Sequence, residues 1–230
     1  MVHNGGDRLE AVRGKKTFYV TVEEFKDIVS FYSSIEVEIG TGNGKFVYEL
    51  AKNQPKTFFI GIDADKSSLV EYSRKIYRKP ERGGLPNVLY VVSSAENLPI
   101  ELDTTADTIW VILPWGVLLQ KLIMGEKSIL KNIVRISRLK GILKMFISYD
   151  LKYEPVEMEK LGLPELTVNY VDEELAPLYK SEQIMITRRE FVDNEAMKEV
   201  SSTWAKRLAF GRNRETLFIT AEIDKKEMLL

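Results

Sequence analysis

Short, largely apolar runs alternate with segments of helical spacing along most of this chain. The first run, residues 35–39, leads through Gly40-Thr41-Gly42-Asn43-Gly44 into a helix-like segment at 45–52. Further runs cover residues 57–63, 88–93, 107–113 and 141–148. Near-continuous apolarity of this kind marks strands buried on both faces of a parallel sheet. Helical patterns fill the gaps. One starts at Asp65 and runs to 79, where Pro80 and Gly83-Gly84 stop it; another covers 126–138. A β-α-β succession with short links predicts a doubly wound α/β sheet.

The flanks extend this frame. Residues 8–20 hold two β-prone pieces around Arg13-Gly14, a candidate hairpin. Thr21 with Glu24 is a capping box opening an amphipathic helix to about residue 32. Residues 150–180 break the rhythm with Pro155, Pro164 and Pro177 and eight acids against three lysines. Such a stretch reads as a lid over the site or as a surface excursion. Two last strands, 183–189 and 215–223, flank a helix at 194–208. The expectation is a single domain over 1–230. It has a seven-stranded, mostly parallel sheet, an N-terminal extension (1–20) and an insertion (150–182) between the fifth and sixth core strands.

Composition narrows the chemistry. The 230 residues are 44% hydrophobic and 29% charged, with no cysteine and a single histidine, His3. Disulfides, thiolate metal sites and histidine-based triads are therefore disfavoured, and no metal is expected. No run reaches the ~18 apolar residues of a membrane span, and the N-terminus lacks a signal-peptide core. The chain is expected to be cytoplasmic. Formal net charge is only −1, but residues 66–82 carry six cations against two acids and residues 204–214 carry four cations and no acid. Two basic islands in an acidic background form a possible footprint for nucleic acid.

The glycine stretch is G-x-G-x-G after an acid, not the G-x-G-x-x-G of dinucleotide enzymes. Asp63 lies 19 residues beyond Gly44, near the ~20 expected for an acid that binds ribose hydroxyls. With Glu38 it places two carboxylates at adjoining strand ends, which would repel a pyrophosphate and favour a cationic group. S-adenosylmethionine has an ammonium, a sulfonium and a ribose but no phosphate, and is the cofactor this pattern favours. Ala95 and Glu96 follow the third strand where an adenine would rest, unless they form a plain surface turn. Trp115 follows Pro114 at the carboxyl end of the fourth strand, as an exposed stacking ring or a buried loop anchor. Trp204, ahead of Lys206, Arg207, Arg212 and Arg214, suits base stacking with phosphate contacts; a solvated helix end is the bland reading. Arg74/Arg78 and Lys75/Lys79 are like-charge i,i+4 pairs, whose tolerance suggests an anionic partner.

These motifs, with Lys79-Pro80, Gly83-Gly84-Leu85, Ala95-Glu96-Asn97-Leu98-Pro99, Pro114-Trp115-Gly116 and Trp204 to Arg212, resemble the aminoglycoside-resistance 16S ribosomal RNA methyltransferases of the Kam/Npm type, nearest the Npm branch. That family methylates N1 of adenine-1408 in the decoding site. The resemblance implies a class I S-adenosylmethionine-dependent methyltransferase fold with an N-terminal hairpin, acting as a monomer on the 30S ribosomal subunit. It places Glu38, Gly40, Asp63, Ala95, Glu96, Ile112, Leu113, Pro114, Val117 and Ser202 at the cofactor. Trp115 and Trp204 fall on the pair that sandwiches a flipped adenine, and Arg207 on a contact to the distorted backbone. Arg74, Lys75, Arg78, Lys79, Arg212 and Arg214 fall on docking positions. Departures from the pattern are Glu38 for a frequent Asp, Asn43 for Asp, Leu113 for Phe or Met, and Val117 for a small polar residue. A tRNA guanine-N7 methyltransferase and a small-molecule methyltransferase are the alternative readings.

Overall fold

The structure, a computed structural model, describes residues 9–149, 155–193 and 215–225. The chain opens with β1 (Leu9–Arg13) and β2 (Lys16–Val20), joined at Gly14-Lys15, and then α1 (Val22–Val29). Both capping-box bonds form there: Glu24 N–H donates to Thr21 Oγ1 at 3.2 Å and Thr21 N–H to Glu24 Oε2 at 2.9 Å. Next come β3 (Ser34–Ile39), α2 (Lys45–Asn53), β4 (Thr57–Asp63), α3 (Val70–Lys75) and β5 (Val88–Val92). Beyond them lie β6 (Ala106–Ile112), α4 (Gly116–Ile123), α5 (Lys127–Ile136) and β7 (Ser137–Ile147).

Neighbouring strands follow the order β2-β1-β5-β4-β3-β6-β7-β9-β8, where β8 is Ile184–Val192 and β9 is Thr216–Ile223. The centre, β5 to β7, is parallel; β9 and β8 close one edge antiparallel. The expected seven strands are present, but the sheet has nine. The hairpin adds its two strands because β1 pairs antiparallel with the free edge of β5, Ala11 opposite Val91. An unpaired edge is costly to leave open.

Burial on β4 shows how the sheet is sandwiched. Phe58, Ile60 and Ile62 enter a core shared with Phe25 of α1, Leu119 of α4 and Ile133 of α5, whereas Phe59 packs with Val47 of α2 and Tyr72 of α3 on the other face. Successive side chains on a strand point to opposite faces. Helix α3 is shorter than the sequence pattern predicts. Asp65 accepts from Ser67 N–H at 2.9 Å and from the Ser67 and Ser68 hydroxyls at 2.7 and 2.8 Å, so it holds a turn before Val70 instead of capping a helix directly. Such local side-chain bonds compete with helix.

The helices after Pro155 join the core. In α6 (Pro155–Leu161) Met158 is buried, as are Val171, Leu175 and Tyr179 along α7 (Val168–Tyr170), a π-helical turn (Val171–Leu175) and α8 (Ala176–Ser181). They brace α4. Tyr179 Oη donates to the Leu122 carbonyl at 3.1 Å, Tyr170 Oη to that of Ile123 at 2.9 Å, and Gln120 Nε2 to that of Leu161 at 2.7 Å.

Asn87 is a polar staple between α2, β4 and β5. Buried to 2% exposure, its Nδ2 donates to the carbonyls of Ala51, Gln54 and Thr57 at 3.0–3.2 Å. Removing a donor strands buried carbonyls at ~1–3 kcal/mol each. Asn87→Ala is therefore expected to lower unfolding stability by at least about 2 kcal/mol in urea melts; a loss below about 0.5 kcal/mol would contradict the staple.

Candidate functional site

The carboxyl ends of β3, β4, β5 and β6 surround one cavity of about 530 Å³, a size suited to a nucleoside-bearing ligand. The glycine turn forms its floor. Gly40 N–H and Thr41 N–H both donate to the Ile62 carbonyl at 2.9 Å, folding the chain back over the end of β4. Gly40 has φ +77°, and a Cβ there would lie 2.6 Å from Leu118 Cδ2, so only glycine lets the turn and α4 meet. At Gly44, φ +78°, a Cβ would lie 2.2 Å from the Tyr90 ring, whose hydroxyl donates to the Gly44 carbonyl at 2.7 Å. Gly44 is thus the N-cap of α2 and the contact that seats the helix on β5.

Two carboxylates face this floor in different states. Asp63 accepts from Gly42 N–H at 2.7 Å and from Asp65 N–H at 2.9 Å. Burial raises its pKa, an effect those backbone donors oppose. Glu38 is only 3% exposed and its pKa is pushed up to about 8. Desolvation is the main cause, a hydrogen bond from Thr41 Oγ1 opposes it, and the Asp63 charge adds to it. No cation pairs with Glu38 among the described residues. A buried carboxylate in that position is neutral near pH 7 unless a cation arrives.

The far wall comes from the loops after β5 and β6. Ala95 and Glu96 line the cavity with Ser93 and Ser94. Asn132 on α5 fixes that loop, its Nδ2 donating to the Ala95 and Glu96 carbonyls at 3.0 and 2.7 Å. The Glu96 side chain pairs with Lys121 at 3.0 Å. Partial desolvation works to raise the Glu96 pKa, but the Lys121 bond and further hydrogen bonds outweigh it and hold it below the usual range. After β6, Leu113 takes a left-handed φ of +50° and donates its N–H to the Phe146 carbonyl at 2.8 Å. That conformation costs a non-glycine residue ~1–3 kcal/mol. It turns the chain so that Trp115 caps α4 beside the cavity with 47% of its surface exposed.

The sequence-predicted residues Glu38, Gly40, Asp63, Ala95, Glu96, Ile112, Leu113, Pro114, Trp115 and Val117 all lie on this one lining. The lining also includes Thr41, Phe46, Ser68, Ser93, Ser94 and Leu118. Ser93 and Ser94 are within reach of the sequence, lying just before Ala95; Leu118 needs the packing of α4. Ser202, Trp204, Arg207, Arg212 and Arg214 lie outside the described residues. Of the other cations, Arg74 and Lys75 end α3, while Arg78 lies in the following turn and Lys79 precedes a 3₁₀ turn (Pro80–Arg82). The expected single helical stripe is therefore broken after Lys75. Lys75 also turns inward, its ammonium 4.2 Å from the Tyr48 ring centroid, whereas Arg74, Arg78 and Lys79 are exposed. Among the described residues no cluster of three metal-ligating side chains occurs, and no helix is long and apolar enough to cross a membrane.

Comparison with known proteins adds independent findings. A family profile described as NpmA, 16S rRNA (adenine(1408)-N(1))-methyltransferase, matches residues 10–223. A protein of that description from Escherichia coli is 37% identical over 218 residues, covering 93% of this chain and 98% of its own. A solved structure of such an enzyme from Catenulisporales acidiphilia, a variant with cosubstrate SAM, superposes with a TM-score of 0.87 at 27% identity, over 96% of this chain and all of its own. By contrast, a tRNA (guanine-N(7)-)-methyltransferase from Bacillus cytotoxicus matches only 76 residues, 33% of each chain, at 36% identity.

The state of Glu38 has a measurable consequence for the ligand-free protein. Between the ordinary carboxylate pKa of 4.5 and about 8, the unfolded chain gives up the Glu38 proton while the folded chain keeps it. This side chain therefore lowers stability progressively as pH rises through that window, and fully above it. Glu38→Gln is expected to melt higher relative to the parent as pH rises from 5 to 9. Parallel melting curves across that range would show that Glu38 is not neutral in the fold.

Proposed function

The chain belongs to the 16S rRNA (adenine(1408)-N(1))-methyltransferase family, and from that premise we propose that it transfers the methyl group of S-adenosylmethionine to N1 of adenine-1408 in the 30S subunit, conferring aminoglycoside resistance. The observation that carries this reading is the meeting of Glu38, Asp63, Glu96 and Trp115 on one cavity at the strand ends. The lining suits the cofactor. Glu38 and Asp63 favour a cationic ligand with hydroxyls over a phosphate. The loop at Ala95 and Glu96, fixed by Asn132, accommodates an adenine. When bound, S-adenosylmethionine supplies an electrophilic methyl on a sulfonium.

The residues of the chain do the positioning. Adenine N1 has a free lone pair at neutral pH, so no side chain has to remove a proton first. This suits a lining without histidine or cysteine. Trp115 offers one exposed face on which a flipped base stacks, and Trp204 is assigned the other. Stacked rings favour the positive charge that develops on the N1-methylated base. Catalysis then rests on extrusion and alignment. Ser202 completes the cofactor contacts in this scheme, Arg207 holds the distorted RNA backbone, and Arg74, Lys75, Arg78, Lys79, Arg212 and Arg214 dock the ribosomal surface. The enzyme acts as a cytoplasmic monomer and as one domain, with the hairpin (1–20) and the insertion (150–182) as elaborations. The alternatives, a tRNA guanine-N7 enzyme and a small-molecule methyltransferase, are not favoured, because the full-length relative acts, by its name, on 16S rRNA.

Reverse transcription through the decoding region tests this, because N1 methylation blocks base pairing. Protein, 30S subunits and cofactor are expected to produce a new stop at adenine-1408; methylation elsewhere without that stop would overturn the assignment. A stacking ring contributes ~1–3 kcal/mol, so Trp115→Ala should slow methylation by roughly tenfold to a hundredfold. A parental rate would remove Trp115 from the site.

A further inference from the structure

The N-terminal hairpin is held against the basic end of α3. Gly14 N–H donates to Ser73 Oγ at 2.9 Å in a buried contact, and the position of a Cβ at Gly14 lies 3.5 Å from Arg74 Cβ. The Arg13 guanidinium sits over the Tyr77 ring, 4.6 Å from its centroid, and Phe18 meets the same ring edge-on at 6.5 Å. Arg13 of the hairpin and Arg74 of α3 are thereby brought to one side of the molecule. Arg13, Lys15 and Lys16 at the turn are exposed, as are Arg74, Arg78 and Arg82 at and beyond the end of the helix that the turn contacts.

Ion pairing separates this face from the rest of the molecule. Among the described residues, every arginine elsewhere has an acid partner: Arg135 with Asp103, Arg138 with Asp107, Arg188 with Glu190 and Arg189 with Asp172. Within the same residues no such pair forms at Arg13, Arg74, Arg78 or Arg82. The exposed rings of Phe18 and Tyr77 meet edge-on at this face, with the Arg13 guanidinium over Tyr77. Uncompensated cations interleaved with aromatic rings match a phosphodiester backbone with accessible sugar and base faces. They match an acidic protein patch less well, since carboxylates offer no flat face on which Phe18 or Tyr77 could stack.

We infer that the hairpin turn, latched to α3 through Gly14 and Ser73, forms with Arg74, Arg78 and Arg82 one docking surface for the phosphate backbone of folded RNA. This rests on the proposed 30S substrate and adds the hairpin to the surface that reads it. Cations on a rigid hairpin bring less ordering cost to docking than cations on a loose terminus. The latch and the pairing of β1 with β5 tie the hairpin to the core.

The test is 30S binding by the full chain across salt concentrations, with Lys15→Glu/Lys16→Glu and the milder Lys15→Ala/Lys16→Ala. Removing one lysine–phosphate interaction lowers the slope of log affinity on log salt by about one. The charge-reversed protein should bind 30S at least about tenfold more weakly near 0.1 M salt, with a shallower slope. The alanine pair should shift the same way by less. S-adenosylmethionine affinity, measured alongside by calorimetry, should stay at the parental value and certify the fold. Unchanged 30S affinity and slope in both variants would overturn the hairpin's role. Full 30S binding with abolished binding to anionic phospholipid vesicles would overturn it in favour of a membrane surface. A parent that binds 30S through this face but leaves adenine-1408 unmodified would count against the proposed reaction while supporting the surface.

Discussion

A carboxylate out of water, with no cation beside it among the described residues, is the constraint on which the site depends. Glu38, next to last on its strand, is buried and accepts from the Thr41 hydroxyl. Charge in that position is costly. The neighbouring Asp63 has two backbone N–H donors and is better placed to stay ionised. The environments of the two acids thus push their behaviour apart, a recurring way to divide roles between paired carboxylates. A ligand with a fixed positive charge offsets the burial of Glu38, whereas a pyrophosphate would meet a second anion at Asp63. The proposed role of Glu38 and Asp63 would build selection of the cofactor class into the strand ends. It is associated with a local cost to the fold, which the double-faced core absorbs.

Around that constraint the chain divides its labour. In the proposed scheme the strand ends and glycine turn hold the cofactor, while α4, braced by Tyr170 and Tyr179, adjoins the strained Leu113 turn that presents Trp115. Helix α3 begins just past the cavity at Ser68 and leads to the uncompensated cations on the outer face. On the proposed reading, recognition of a large anionic surface and placement of one methyl group fall to separate elements joined through β4. This arrangement suits a substrate whose target base must be drawn out of a folded RNA.

Much of this is readable from the sequence, and the exceptions have physical reasons. Buried parallel strands announce themselves as apolar runs, so residues 57–63 stand out at their true bounds. Glycines that must adopt positive φ, such as Gly40 and Gly44, show as a motif because no other residue fits. Sheet edges do not: the docking of β1 on β5 joins residues about eighty positions apart, and nothing local encodes it. The sequence pattern overstates the length of α3 because the Asp65 bonds to Ser67 and Ser68 win over helix. The broken stripe at Lys75 and Arg78 lies at the other end of the helix, where the Ile76 carbonyl accepts from Leu85 N–H at 2.9 Å instead of from a further helical turn. Leu113 carries no sign of its left-handed backbone, since leucine ordinarily avoids it. The inward turn of Lys75 toward Tyr48 and Tyr72 likewise appears only once two helices are packed together.

The most direct test is calorimetric titration of the ligand-free protein with S-adenosylmethionine at pH 7 in two buffers of different ionisation enthalpy. If Glu38 is neutral before the cofactor enters and charged afterwards, binding releases close to one proton, about one per site, and the observed heat differs between buffers accordingly. Glu38→Gln should weaken binding and abolish that difference. Identical heats in both buffers for the parent protein, with tight binding intact, would contradict the account.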